Sequence, residues 1–245
     1  MMKSAFAGKI ALISGATSGV GLAAARCLIA EGAAVHGLGH DAERLAHVAR
    51  ELGPSFRAEL ADLSDARSRS ALCQRLREAV PRVDLFLSCA AESLYASPCE
   101  AESESLSHLF ELNVLAAVDL CRAVAPQMGA GGQIVLLSSL AARRLVDSRF
   151  GLYAASKAAL EHFAQALRLE LHPRGVHVSV VAPGATDTAT YDRMPTFAPA
   201  RRALVESVPV WLSAEDIADA VMWVCSRPTH VVVSELVLVP ARQAL

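Results

Sequence analysis

The sequence predicts a single-domain α/β fold, a doubly wound parallel sheet of about seven strands with helices on both faces. Short apolar, β-rich runs alternate with longer stretches of helical periodicity almost to the C-terminus. Strands separated by helices run parallel when each crossover is right-handed, and such crossovers set helices on both faces of the sheet. The 245 residues, 53% of them hydrophobic, suffice for one large core and give little ground for two. One domain over 1–245 is therefore expected.

The strand candidates are Lys9 to Ser14, Ala34 to Leu38, Phe56 to Leu60, Val83 to Cys89, Gln133 to Ser139, Val176 to Ala182 and Val231 to Val239. Between them the helical period runs over Val20 to Glu31, Ala42 to Leu52, Asp65 to Val80, Ser103 to Met128, Tyr153 to His172 and Ala214 to Ser226. Ser213, followed by Glu215 and Asp216, reads as the capped start of the last helix. The rhythm breaks at 187–209, Asp187 to Pro209, where Pro195, Pro199 and Pro209 interrupt any clean period. A long insertion after a strand's carboxyl end reads as a lid over a ligand crevice, and an ordered surface connection is the competing reading.

Composition excludes several classes. A formal net charge of -2 with no block of like charge offers no footprint for nucleic acid or an anionic membrane, so a small-molecule ligand is expected. The six cysteines form no Cys-x-x-Cys pair and the histidines add no ligand spacing, so no metal site is expected. Scattered thiols fit a reduced, cytoplasmic protein. Only four apolar residues, Ile10 to Ile13, follow the N-terminal lysines before Ser14, too few for a signal peptide, and no later run has membrane-spanning length.

Ser14-Gly15-Ala16-Thr17-Ser18-Gly19-Val20-Gly21 follows the first strand and opens the first helix. Glycines there permit a tight turn, close approach of backbone to a pyrophosphate and tight helix-on-strand packing. Free N–H groups at the helix start would hold the anion. The Gly15-x-x-x-Gly19-x-Gly21 spacing resembles that of the short-chain dehydrogenase/reductase family, with Ser14 in place of the usual threonine. The resemblance extends from Gly8 to about Pro240 and implies a Rossmann-type sheet binding a nicotinamide dinucleotide.

The resemblance also assigns the cofactor contacts. Gly15, Thr17, Ser18, Gly19 and Val20 would hold the pyrophosphate side, and Asp62 with Leu63 the adenine, although Asp62 or Ser64 also reads as a helix cap. Ala90 lies in Ser88-Cys89-Ala90-Ala91, where the family usually has Asn-Asn-Ala-Gly. Pro183, Gly184, Thr186 and Thr188 resemble the motif meeting the nicotinamide carboxamide and pyrophosphate. Gly39 falls where NAD-restricted relatives carry an acid for the ribose 2′-hydroxyl, and His40 where NADP-preferring ones often carry arginine, with Arg44 a turn further on. NADP(H) is accordingly favoured over NAD(H). The C-terminal run Val233 to Pro240 is similar to the branch with NADP-dependent hydroxy-acid and 3-hydroxy-amino-acid dehydrogenases.

Tyr153 and Lys157 form Tyr-x-x-x-Lys, a spacing that puts both side chains on one helix face. A free phenol ionises near pH ~10, too high for a base at neutrality. An ammonium about 4 Å away at an effective dielectric of ~20 contributes roughly 4 kcal/mol. At about 1.4 kcal/mol per pKa unit, that brings the phenol close to neutrality. In the family, Lys157 would also hold the nicotinamide ribose. Ser139 matches the serine that hydrogen-bonds the reacting oxygen, with Ser138 an adjacent alternative and a Ser139–Tyr153 interval one residue longer than in many relatives. Asn113 resembles the asparagine whose side chain positions a water relay to the lysine, and a buried structural hydrogen bond is the competing role.

The set Asn113, Ser139, Tyr153 and Lys157 implies an oxidoreductase acting on a small alcohol or carbonyl substrate. A non-catalytic cofactor-sensing protein on the same fold is the alternative. Tyr95, Leu145, Tyr191, Met194 and Phe197 are candidates for an apolar substrate wall, and Arg143, Arg144, Arg193, Arg201 and Arg202 for meeting an acidic group. Apolar residues around Ser103 to Met128 and Tyr153 to His172 suggest packing against a second copy, as homodimer or homotetramer, against burial within one chain.

Overall fold

The computed structural model describes residues 4–145, 147–187, 205–206 and 208–243. Seven strands, β1 (Ile10–Ser14), β2 (Ala34–Gly39), β3 (Phe56–Leu60), β4 (Leu85–Ser88), β5 (Gln133–Leu137), β6 (His177–Pro183) and β7 (Glu235–Leu238), form one sheet in the order β3-β2-β1-β4-β5-β6-β7. Every pairing is parallel. Among the described residues the main helices are α1 (Gly19–Ala30), α2 (Ala42–Leu52), α3 (Ala66–Ala79), α4 (Ser103–Phe110), α5 (Ala116–Val124), α6 (Gly151–Leu171) and α7 (Ala214–Cys225). This is the doubly wound, Rossmann-type architecture the alternating pattern predicts.

Alternation along each strand divides the core in two. Leu12, Phe86, Ile134, Leu136 and Val180 face a layer built with Leu72, Leu76, Leu120 and Leu160 of α3, α5 and α6. Their neighbours Ile13, Leu87, Val135 and Val181 face the opposite layer, with Leu28, Leu45, Ile217 and Val221 of α1, α2 and α7. Both faces of the central strands are covered, which is why these strands read as continuous apolar runs. Strand order reverses at β1, whose neighbours are β2 and β4. The carboxyl ends diverge there, and a crevice opens between them.

Several boundaries differ from the sequence expectation. Ser103 to Met128 is not one α-helix: α4 passes into a π-helical turn at Glu111–Leu115, then α5, then a 3-10 turn at Ala125–Gln127 carrying Pro126. The wide turn places Asn113 inward at 1% exposure. Such turns insert an extra residue and re-aim side chains, which a 3.6-residue pattern does not reveal. Val231 to Val239 shortens to β7, because only this stretch meets β6; the Val231 N–H turns back to the Pro228 carbonyl. Asp65, rather than Asp62 or Ser64, caps α3 by accepting from the Ser68 N–H. Ser213 and Asp216 form a reciprocal capping box at α7.

Most of the lid expected at 187–209 lies outside the described residues, as do Thr188, Tyr191, Arg193, Met194, Phe197, Arg201 and Arg202. Its flanks are joined by a parallel bridge between Thr186 and Leu212.

Arg69 of α3, 3% exposed, ties this framework together. It donates to the Glu111 carboxylate at the π-turn (2.7 Å), to Asp119 of α5 (2.8 Å) and to the Leu63 carbonyl (2.8 Å). Both acids keep some solvent, so removing the guanidinium leaves them wetted and costs less than in a dry core. Arg69→Met is expected to lower unfolding free energy by about 3 kcal/mol, the low end for losing one member of a buried ion pair, read from the denaturant midpoint.

Candidate active site

The crevice is a cavity of about 380 Å³ running from the glycine turn after β1 to the start of α6. Gly15 has φ +72 and Gly19 φ +51, conformations that favour glycine. A Cβ on Gly15 would stand 2.9 Å from the Ala90 nitrogen, and one on Gly21 2.3 Å from the Gly15 carbonyl oxygen. Ser18 is the N-cap of α1, yet its side chain makes no capping bond and the first turn holds no acid. The helix therefore presents uncapped N–H groups and an uncompensated positive end to the crevice, which suits a pyrophosphate. Thr17, Ser18, Gly19 and Val20 line this part.

Ser14 has a different task. Its hydroxyl, 1% exposed, accepts from the N–H groups of Cys89 (3.1 Å) and Ala90 (3.2 Å), fastening the end of β1 to the end of β4. The Cys89-Ala90 stretch is thus held from β1, with the Cys89 thiol pushed up to about 12 by burial.

Asp62 and Leu63 line the far end with Gly39, His40 and Arg44. The Ser64 hydroxyl (2.6 Å) and N–H (2.9 Å) donate to the Asp62 carboxylate and hold it below its usual range. A Cβ on Gly39 would lie 2.7 Å from Thr17 Cγ2, so any side chain there would have to displace Thr17. Arg44, exposed on the rim, pairs with Asp41 at 3.2 Å.

At the opposite end Pro183, Gly184 and Thr186 line the crevice, and Thr186 Oγ1 donates to the Gly184 carbonyl at 2.9 Å. Gln243, which the sequence reading passed over, joins them; its Oε1 accepts from the Ala185 N–H at 2.8 Å.

Tyr153 and Lys157 share a face of α6 and both line the crevice beside Ser138 and Ser139. Ser139, the N-cap of a 3-10 turn whose hydroxyl accepts from the Ala141 N–H at 3.2 Å, lines the crevice with Tyr153, as does Ser93, a residue sequence reasoning missed. The Ser138 hydroxyl is buried without a partner among the described residues. Lys157, 3% exposed, donates from Nζ to the Leu137 carbonyl at 2.9 Å and lies 5.8 Å from the Tyr153 ring centroid.

The electrostatics differ from the sequence expectation. Tyr153 keeps part of its surface open to the crevice, yet burial raises its phenol pKa, opposed by the Ser139 and Ser93 hydroxyls rather than by Lys157. Burial also lowers Lys157, to about 8. Desolvation penalises each charged form separately and outweighs their attraction at this spacing.

Asn113 carries a positioning role. Its Oδ1 accepts from the Glu92 N–H (2.8 Å), and its Nδ2 donates to the Glu92 carbonyl (2.8 Å) and to Ser156 Oγ (3.0 Å). Ser156 in turn donates to the Tyr153 carbonyl at 2.7 Å. The side chain expected to position a water relay makes these three bonds to the loop and helix around the phenol.

Of the substrate-side candidates, Arg144 lines the crevice, beside Phe150, which the sequence reading did not single out. Arg143 is spent on Glu161 (3.0 Å) and Glu235 (2.7 Å). Tyr95 donates to Asp147 at 2.7 Å and packs edge-on against Phe150, while Leu145 is 52% exposed; neither lines the crevice.

The Lys157 shift has a stability consequence. The folded pKa is depressed from 10.5 to about 8, so the unfolded chain binds more protons between those values, and this group's contribution to stability rises with pH across that window. Lys157→Met removes the cost of a buried ammonium. Its stability advantage over wild type should be greatest below pH 8 and shrink by up to about 3 kcal/mol towards pH 10.5, measured by denaturant midpoints at both ends.

Residues 9–197 match the family model described as short chain dehydrogenase. Serine 3-dehydrogenase of Agrobacterium fabrum is 31% identical over 236 residues, covering 95% of this chain and 94% of that protein. Sulfoacetaldehyde reductase 2 of Chromohalobacter salexigens is 34% identical over 242 residues, covering 96% and 95%. The crystal structure of a short chain dehydrogenase from Burkholderia cenocepacia in complex with NADP superposes with a TM-score of 0.87 at 31% identity, covering 98% of this chain and 99% of that one. A glycine cradle, an uncapped helix and a Ser-Tyr-Lys cluster at the two ends of one crevice, in a chain with these relatives, place it in the short-chain dehydrogenase/reductase family of NAD(P)-dependent oxidoreductases.

Proposed function

We propose that the chain interconverts a small alcohol and its carbonyl compound with NADP(H), with Tyr153 as general acid/base. The carrying observation is the meeting of Tyr153, Ser139 and Lys157 at one end of a crevice whose other end is built for a pyrophosphate. A nicotinamide cofactor bound there supplies or accepts the hydride. For the reduction, the Tyr153 hydroxyl gives its proton to the carbonyl oxygen while Ser139 donates a hydrogen bond to the same oxygen and stabilises the developing charge. Lys157, largely protonated at pH 7, keeps a positive charge beside the phenol as the proton leaves. A chain that only sensed the cofactor would have no use for this converged acid/base set.

The preference for NADP(H) rests on Gly39, His40 and Arg44. Thr17 closes the space for an acid at Gly39, which removes the repulsion a 2′-phosphate would meet. Arg44 on the rim supplies a forked cation for it. The NADP carried by the Burkholderia relative supports the same reading.

Arg144 adds a cation at the end of the crevice that holds Tyr153 and Lys157. Serine and sulfoacetaldehyde, named for the two curated relatives, are small and carry an acidic group, which favours small hydroxy acids and their oxo counterparts as first substrates to screen. On the outer surface Leu115 at 43% and Leu169 at 80% exposure leave apolar area on the two helical stretches expected to meet a second copy, in support of a homo-oligomer.

Tyr153→Phe is expected to lower kcat by about 10³-fold or more while NADPH affinity, read by fluorescence quenching, stays within about twofold. Turnover near wild type in that variant would remove the mechanism. Arg44→Ala should cut kcat/KM with NADP(H) about tenfold and leave NAD(H) unchanged, the loss of one charge-assisted hydrogen bond to phosphate.

A further inference from the structure

Gln243 belongs to neither the glycine turn nor the Ser-Tyr-Lys cluster, and it reaches the crevice by way of β7. The Gly184 N–H donates to the Leu238 carbonyl at 2.8 Å, and the Gln243 N–H donates to the Pro240 carbonyl at 2.9 Å. This turn folds the Gln243 side chain back over Gly184. A Cβ on Gly184 would overlap Gln243 Oε1 and stand 3.0 Å from Val239 Cγ1, so the missing side chain leaves the room that the amide uses. The Ala185 N–H donates to Oε1 at 2.8 Å, while the Ala185 carbonyl accepts from the Leu212 N–H at 3.0 Å. An N–H facing the amide fixes its sense, oxygen towards Ala185 and nitrogen away. Gln243 is part-buried and lines the crevice, and among the described residues nothing accepts from its Nε2. Two donors are left for a ligand.

The location points to which ligand. The Ser138 N–H donates to the Val181 carbonyl at 2.8 Å, so the turn carrying Ser138 and Ser139 and the turn carrying Gly184 and Ala185 leave adjacent strands side by side. Gln243 therefore serves the reactive end. Val20 of α1, Ile217 of α7, and Leu236 and Leu238 leading towards the Gln243 turn all belong to one layer of the core. Val20 and Ile217 line the crevice with Gln243. Tyr153 and Lys157 come from α6, whose Leu160 and Ala164 pack in the opposite layer.

We propose that Gln243 is a cofactor-binding residue, its Nε2 donating to an oxygen of the nicotinamide half of the dinucleotide. This rests on the reading that the pyrophosphate is held at the start of α1, and it is independent of the acid/base role of Tyr153. The wall that begins at α1 continues through Ile217 to Gln243, whereas a substrate has to meet Tyr153 on the facing wall. The cofactor is thus the partner of this amide. Because the contact lies at the opposite end from Gly39, His40 and Arg44, it serves NADP(H) and NAD(H) alike.

The experiment measures NADPH and NADH binding by isothermal titration calorimetry without any substrate. It compares wild type, Gln243→Ala, Gln243→Glu and Ser18→Glu, each shown to be folded by circular dichroism. Gln243→Glu is isosteric: it keeps an oxygen for the Ala185 N–H and exchanges the two donors for a carboxylate. Gln243→Ala should weaken both cofactors about fivefold, the loss of one neutral hydrogen bond, with the ratio of the two affinities unchanged. Gln243→Glu should weaken them at least as much. Wild-type affinity in Gln243→Glu would reduce the residue to a brace for Ala185 and overturn the assignment. So would unchanged binding in Gln243→Ala, or a loss confined to NADPH, which would move the contact to the 2′-phosphate. Ser18→Glu sets a negative charge at the uncapped start of α1 and should weaken both cofactors more than about tenfold. Wild-type binding in that variant would overturn the pyrophosphate reading itself, so the two failures are read from different variants.

Discussion

The amide of Asn113 holds the reactive end of the crevice together. Neither β4 nor α6 alone determines where the loop after β4 meets the tyrosine, because the two elements are joined only through β5 and the layers around it. Asn113 spans them with three hydrogen bonds, all made at 1% exposure, where an unmade bond would cost the full desolvation of the group. Its own position depends on the π-turn, whose first residue Glu111 is gripped by Arg69. Because Arg69 also donates to the Leu63 carbonyl, one guanidinium braces both the Asp62–Leu63 end of the crevice and the π-turn. Preorganisation here comes from the buried, hydrogen-bonded side chains of Asn113 and Arg69, while the two apolar layers supply the bulk of the stability.

That preorganisation has an electrostatic cost which the chain distributes. Burial works against ionising the phenol and against keeping the neighbouring ammonium, as the opposite directions of the Tyr153 and Lys157 shifts show. Hydroxyls suit this setting better than a second charge would. They stabilise an oxyanion without a large desolvation cost of their own, and they rotate to follow the proton. The Leu137 carbonyl accepting from Lys157 offsets part of the cost of burying its charge.

The fold was legible because its signals are local and repeated. Alternation of β-rich runs with 3.6-periodic segments announces a parallel sheet whatever the loops do, and Gly15, Gly19 and Gly21 stand where backbone must approach backbone. The π-turn was illegible, since Leu109, Leu112, Val114 and Val118 satisfy a helical pattern on either side of the inserted residue. Strand β7 was overextended because valines signal propensity, whereas a strand requires a neighbour. Within the site, motif spacing located Tyr153, Lys157 and Ser139. It passed over Ser93 and Gln243, whose spacing to anything is irregular and whose meaning comes from residues far along the chain. The expected ammonium-on-phenol effect failed for a related reason: spacing along a helix gives a shared face and says nothing of burial.

The departure at Ser88-Cys89-Ala90-Ala91 can now be argued physically. Two asparagines in that stretch would bring amide side chains to brace the strand end from within. Here the bracing comes from without: the Ser14 hydroxyl takes the N–H groups of Cys89 and Ala90, and Asn113 takes both polar groups of Glu92. With the backbone satisfied by partners on β1 and the π-turn, the side chain at Cys89 is released from hydrogen-bonding duty. Small residues then suffice, and they keep the crevice wall low where Gly15 already brings backbone within 3 Å of a would-be Cβ. The same economy operates at Gly39, where the Thr17 methyl stands 2.7 Å from where any Cβ would be. In both places the identity of one residue is set by a neighbour distant in sequence, and loop geometry becomes a property of the packing around the glycine turn.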